Sequence, residues 1–346
     1  MKQRFHAYTP LVETITEASH AAETKCALSF GQGIALGVVA AAYLALATTL
    51  ALAMGATITS PSIQKLVQGA VFPVGLIAVV IAVSELSTGN YLVTPLGAMT
   101  RCIHWRHVLH NWAVSYAGNF LGAFLLAAVI IQGAHLFTGA MWGQQWVDHL
   151  TKTALTKANL SPFEAFWRGF LCIWLVDLAI WQAYRVKEIA AKFLLIWFPT
   201  FAFFALGLEH SVVNMFLFPA AIFAGAPISW SQFLLNNLTP VVLGNVVGGT
   251  FIVGMLYWFS AGLPLKTTEA SAASHSGTSQ LPLLTTNFLK GVGITVVFFS
   301  LFPAGAAGLS YILPRSWGIV VPLVVIVYLT LLAFILSHHG TRQKAD

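Results

Sequence analysis

The sequence predicts an all-α membrane protein made of two copies of one helical unit. Three observations carry this reading. Of its 346 residues, 58% are hydrophobic and 8% charged, with a mean hydropathy of +0.79, whereas a soluble domain carries about a quarter charged residues. Apolar runs that reach the roughly 20 residues needed to cross a bilayer recur along the whole chain. Finally, one pattern occurs twice: Glu85-x4-Asn90-x4-Pro95 and Glu209-x4-Asn214-x4-Pro219.

The duplication extends on both sides of that pattern. A Phe-Pro pair precedes each copy, Phe72-Pro73 and Phe198-Pro199. Each copy is followed by Asn-x6-Gly-Asn-x2-Gly, as Asn111, Gly118, Asn119 and Gly122, then as Asn237, Gly244, Asn245 and Gly248. Blocks repeated in the same order indicate an internal repeat. Matched interruptions of hydrophobic segments in two halves point to a transporter's substrate site.

Taken in order, residues 1–25 read as an amphipathic helix starting near Thr9-Pro10, with Leu11, Ile15 and Ala18 at helical spacing and no signal peptide. Spans are expected at 28–54, at 67–96 with a break near Gly89-Asn90, and at 109–136. A polar stretch over 143–162 precedes spans at 163–184, at 193–224 with a break near Gly207, and at 240–261. Residues 266–287 form a Ser/Thr-rich linker, and 288–346 hold two further spans and a tail.

Eight spans place both termini on one side. Of the 17 Lys and Arg residues, only Lys65, Lys152, Lys157, Arg168 and Arg315 fall on the opposite side. The positive-inside rule makes the N-terminal side, with Lys25 among its charges, cytoplasmic. The formal charge of +6 therefore concerns orientation rather than nucleic acid. Three spans separate the two copies, so the repeat is expected to be inverted, with a site at mid-depth. The scattered Cys26, Cys102 and Cys172 imply no disulfide framework.

Four ionisable groups fall deep inside spans: Glu85, Asp177, Glu209 and His210. Such groups are costly in a bilayer and mark function by default. Glu85 and Glu209, with Asn90 and Asn214, are expected at the helix breaks, where the carboxylates could accept hydrogen bonds from backbone amides freed in the opposite half. His210 has no counterpart, because the matching position is Leu86. Imidazole can donate a hydrogen bond and carry a proton near neutral pH, so His210 is read as a donor to an anion at the pore centre. A carboxylate at Asp177 could repel an anion, relay a proton or pair with another group. The His104-x2-His107-x2-His110 run lies in an expected cytoplasmic loop without a second histidine box or a carboxylate cluster, and reads as a solvated loop. Nothing in the sequence calls for a cofactor or a catalytic residue.

Residues 1–265 resemble the formate/nitrite transporter family. The resemblance rests on Gly207-Leu-Glu-His210-Ser-Val-Val-Asn214-Met, on Glu85-Leu-Ser-Thr88-Gly-Asn90, and on Asn237-Leu-Thr-Pro240 through Gly244-Asn245-Val-Val-Gly248-Gly249. It implies an aquaporin-like six-helix protomer with broken second and fifth helices, assembled as a homopentamer in a cell membrane such as the prokaryotic inner membrane. It further implies His210 as the central histidine and Thr88 as its hydroxyl partner. Phe72 and Phe203 would form the outer constriction, Leu76 and Leu86 the inner one, and Lys157 would draw anions in. Three positions depart from the family pattern: Ile173 replaces an asparagine facing the histidine, Asp177 a small residue or cysteine, and Ser87 a phenylalanine. The first two are expected to line the pore. The implied cargo is a small monovalent anion, formate or nitrite, moving with a proton through lipid-embedded protomers. Lactate, hydrosulfide or bicarbonate, and a non-transporting sensor, remain alternatives. Neither half contains the Asn-Pro-Ala box of a neutral-solute channel.

Overall fold

The computed structural model describes residues 8–262, which are entirely helical and loop. The linker and the two further spans expected beyond residue 265 lie outside the described residues. Four helices are long and apolar enough to cross a membrane: Phe30–Gly55, Pro61–Ile81, Trp105–Gly133 and Gln232–Ser260.

Helix α1 (Leu11–Cys26) begins after Pro10, as the Thr9-Pro10 pair predicts. Helix α2 (Phe30–Gly55) starts on a reciprocal cap, in which the Gln32 amide donates to Ser29 Oγ and the Ser29 amide to Gln32 Oε1. The second span comprises α3 (Pro61–Val71) and α4 (Val74–Ile81), separated at Phe72-Pro73. The chain is then non-helical until α5 (Ser87–Met99). This break lies N-terminal to the expected Gly89-Asn90, and both of those residues are helical. The difference arises because Asn90 is no helix breaker here: its side-chain amide reaches back to Glu85 Oε2 at 2.8 Å.

Helix α6 (Trp105–Ala128) continues through a π-helical turn to Gly133. It begins inside the segment expected to be the histidine loop, so His107 and His110 lie in its first turns. The expected polar stretch is itself helical, as α7 (Gln144–Ala158). Helix α8 (Pro162–Tyr184) opens on Ser161 and Glu164, a cap matching that of α2. Helices α9 (Ile189–Ala205) and α10 (Ser211–Phe223) flank the second break, near Gly207 as expected. The last long helix contains α11 (Thr239–Val247) between π-helical stretches, and ends in α12 (Leu256–Ser260).

Each half is held by an equivalent helix pair. On α6, a Cβ at Gly118 would lie 3.0 Å from Gly37 Cα of α2, so the two backbones touch. On α11, a Cβ at Gly244 would meet the Phe166 carbonyl of α8. Pro95, inside α5, cannot donate to the Tyr91 carbonyl, and Thr250 Oγ1 from the last helix fills that place at 3.0 Å. Matched positions in the two breaks share a left-handed backbone, Val83 at φ 56° and Gly207 at φ 66°.

Candidate functional site: a buried threonine–histidine pair between two vestibules

Each break is held by a frame of side chains, and the bonds to the carboxylate repeat from one frame to the other. The second frame adds a bond from Asn214 Nδ2 to Asn237 Oδ1 at 2.7 Å, whose counterpart at Asn111 Oδ1 is missing among the described residues. In the first, Glu85 Oε1 accepts from Lys25 Nζ at 2.6 Å, and Oε2 accepts from Asn90 Nδ2 at 2.8 Å and Asn111 Nδ2 at 3.3 Å. In the second, Glu209 Oε1 accepts from Lys157 Nζ at 2.5 Å, and Oε2 accepts from Asn214 Nδ2 at 2.7 Å and Asn237 Nδ2 at 3.0 Å. A buried carboxylate is tolerable only when paired and hydrogen-bonded in this way.

The backbone of each break has its own anchor. Asn119 accepts from the Ser87 amide at 2.9 Å and donates to the carbonyls of Gly37 at 2.8 Å and Glu85 at 2.9 Å. Asn245 accepts from the Ser211 amide at 3.0 Å and donates to the carbonyls of Gly169 at 2.8 Å and Glu209 at 3.2 Å. The carboxylates therefore bind lysine and asparagine side chains rather than freed backbone amides, which corrects the expectation. The helix-start amides are taken by Asn119 and Asn245 instead.

Lys25 is legible in the sequence only as an orientation charge, yet it is the counterpart of Lys157. The signal for this is nonetheless present. Lys25-x3-Ser29-x2-Gln32 matches Lys157-x3-Ser161-x2-Glu164, so the repeat begins before the first span of each half.

Between the frames, Thr88 Oγ1 and His210 Nε2 lie 3.2 Å apart. Thr88 is fully buried and His210 is 2% exposed. His210 is also the N-cap of α10, with its Nδ1 accepting from the Val213 amide at 3.3 Å. That bond assigns the tautomer: Nδ1 is unprotonated, and Nε2 carries the hydrogen and donates to Thr88. Both residues stand at the starts of half-helices, where partial positive charge gathers.

The Phe203 ring stacks on the His210 ring, with centroids 5.8 Å apart. Phe72 meets Phe203 edge-on at 5.5 Å and stacks on Phe204 at 4.1 Å. Phe204 is an aromatic member that sequence reading missed. A small chamber of about 40 Å³ lies against His210, Phe203 and Phe204. Leu86 lines a vestibule of about 370 Å³ on the Glu85 side, together with Lys25 and Val83. The vestibule on the Glu209 side measures about 320 Å³ and is lined by Lys65, His149, Lys152, Lys157 and Arg168. Its cations, together with burial, matter for His149: burial first, then Lys65 and Lys152, hold its pKa below the ordinary histidine value. His149 shares a 2.7 Å hydrogen bond with Gln68. Phe72 and Leu76 are buried and line none of these three cavities.

Ile173 and Asp177 are also buried, at a contact with the last helix. A Cβ at Gly248 would meet Ile173 Cγ2, and one at Gly249 would meet Asp177 Oδ2. Neither side chain lines the three cavities. Neither oxygen of Asp177 has a hydrogen-bond donor among the described residues. Replacing Asp177 with alanine is therefore expected to stabilise the protein by about 1–3 kcal/mol, the cost of a buried unsatisfied polar group. Thermal unfolding in detergent would show this as a raised midpoint, and a lowered midpoint would mean that the carboxyl has a partner.

Sequence and structure comparisons agree on one family. A family model described as formate/nitrite transporter matches residues 12–259. The chain is 40% identical over 266 residues to a "Probable formate transporter" of Methanothermobacter thermautotrophicus, covering 72% of this chain and 95% of that protein. A solved "FNT family ion channel" superposes with a TM-score of 0.66 at 32% identity, covering 72% of this chain and 99% of the other. A "Pentameric formate channel with formate bound" superposes at 0.60 with 27% identity, covering 68% and 98%.

Proposed function

Because this chain belongs to the formate/nitrite transporter family, we propose that it carries formate or nitrite across a cell membrane, together with a proton, through a pore in each protomer of a homopentamer. The observation that carries this reading is the Thr88–His210 pair at 3.2 Å, buried between two vestibules and behind aromatic rings. The six-helix part is read as an aquaporin-like inverted repeat, supported by the two matching frames. The N-terminal side, with the Glu85 vestibule, is read as cytoplasmic, and the Glu209 vestibule as outer.

A bare anion passing the Phe203 ring loses hydration, at a cost of several kcal/mol. Two features lower that cost. The starts of α5 and α10 place positive helix ends beside Thr88 and His210. Protonation then turns the anion into a neutral weak acid. The cap bond from the Val213 amide to His210 Nδ1 opposes a resting imidazolium, since protonation there would break it beside a positive helix end. An arriving carboxylate supplies the missing negative charge, so proton uptake at His210 is tied to the presence of the anion. The proton then leaves with the cargo.

Proteoliposome uptake of labelled formate and nitrite tests this. Wild-type flux is expected to rise as external pH falls from about 8 to about 5, on either side of the ordinary histidine value. His210→Asn keeps a good capping side chain but cannot titrate, so its flux should no longer depend on pH. Flat wild-type flux across that range would refute the proton-coupled route. Absence of flux for both anions would direct attention to lactate, hydrosulfide or bicarbonate.

A further inference from the structure

We infer that Lys65, rather than Lys157, is the cation that receives the anion at the outer mouth of the histidine chamber. This rests on the transport reading above and adds a binding residue to it. Lys157 is poorly placed for that task. Its Nζ is 2.5 Å from Glu209 Oε1 and 3.3 Å from the Leu208 carbonyl, and its side chain is only 15% exposed. The pair is neutral as a whole, and Lys157 cannot turn to an anion without leaving Glu209 buried and uncompensated.

Lys65 differs in its partners. It has no ion-pair partner among the described residues. Like Lys157, it lines both the outer vestibule and the small chamber that touches His210. Gly207 leaves space beside it: a Cβ there would stand 3.8 Å from Lys65 Nζ, and φ of 66° disfavours any side chain at that position. Thr153, which lines the same two cavities, spends its hydroxyl hydrogen on the His149 carbonyl at 2.7 Å. His149 itself, its pKa held below the ordinary histidine value by burial and then by Lys65 and Lys152, is engaged with Gln68. Lys152 and Arg168 line only the outer vestibule. Lys65 is thus, among the described residues, the cation without an ion-pair partner that reaches from that rim to the chamber beside His210.

Two measurements on the full chain test the assignment. In detergent, amine labelling with trinitrobenzenesulfonate, read by peptide mass spectrometry, should slow several-fold at Lys65 when formate or nitrite is added. Uncharged formamide should not slow it, and Lys157 should gain no protection. In proteoliposomes, Lys65→Gln should raise the KM for formate about fivefold, the effect of one solvent-screened charge at contact. Its Vmax should stay near wild type, as expected when uniform binding is lost, and Lys65→Arg should retain the wild-type KM. Unprotected Lys65, or an unchanged KM in Lys65→Gln, overturns the assignment while leaving transport intact. Protection of Lys65 in a protein that moves neither anion would instead uphold the binding site and remove the transport reading.

Discussion

Replacing Glu209 with leucine is expected to destabilise the protein by about 3–5 kcal/mol, the range for breaking a buried ion pair from one side. Three donors lose their carboxylate acceptor at once, Lys157 Nζ, Asn214 Nδ2 and Asn237 Nδ2, and keep only neutral oxygens. The lysine accounts for most of the loss, because an uncompensated ammonium remains in a nearly closed pocket. Removing that charge as well should recover much of the stability, so Lys157→Met combined with Glu209→Leu is expected to unfold at a higher temperature than Glu209→Leu alone. Thermal unfolding of detergent-solubilised protein reads both. A single-variant loss below about 1 kcal/mol, typical of exposed pairs, would show that Glu209 is not the closed, paired carboxylate described.

Asn245→Leu should be comparably severe and should act directly on the pore. It strips the Ser211 amide and the carbonyls of Gly169 and Glu209 of their partner. Each buried backbone group left unsatisfied costs about 1–3 kcal/mol. The lost bonds fix the chain on both sides of His210, so the ring should lose its orientation against Thr88. The expected result is a lowered unfolding midpoint together with lost formate flux. Asn245→Asp keeps the acceptor for Ser211 but not the two donors, and should fall between wild type and leucine. Full flux in Asn245→Leu would show that the histidine is positioned by its helix cap alone.

Both predictions concern residues that the repeat makes visible. Glu85, Asn90, Glu209, Asn214 and the later asparagines are legible because two copies of one pattern are hard to explain otherwise. Their partners are harder to read, since hydrogen bonds join residues far apart in the chain: Lys25 is bonded across 60 positions and Lys157 across 52. Composition makes Lys25 look like a surface charge, although a matched Lys-x3-Ser lies in plain view. Sequence reasoning misplaces the first break because asparagine and glycine weaken isolated helices, whereas here Asn90 is bonded to the carboxylate at the break. The contact of Ile173 and Asp177 with Gly248 and Gly249 of the last helix is not legible in the sequence, because it joins helices far apart in the chain.

The two breaks place different residues at one shared left-handed position. Gly207 takes its left-handed conformation without penalty, whereas Val83, at φ 56° and 74% exposed, is β-branched and bears about 1–2 kcal/mol for the same shape. On the Glu209 side the loop is relaxed. The same turn is therefore built at unequal cost in the two halves, and the costlier copy stands on the rim of the Glu85 vestibule.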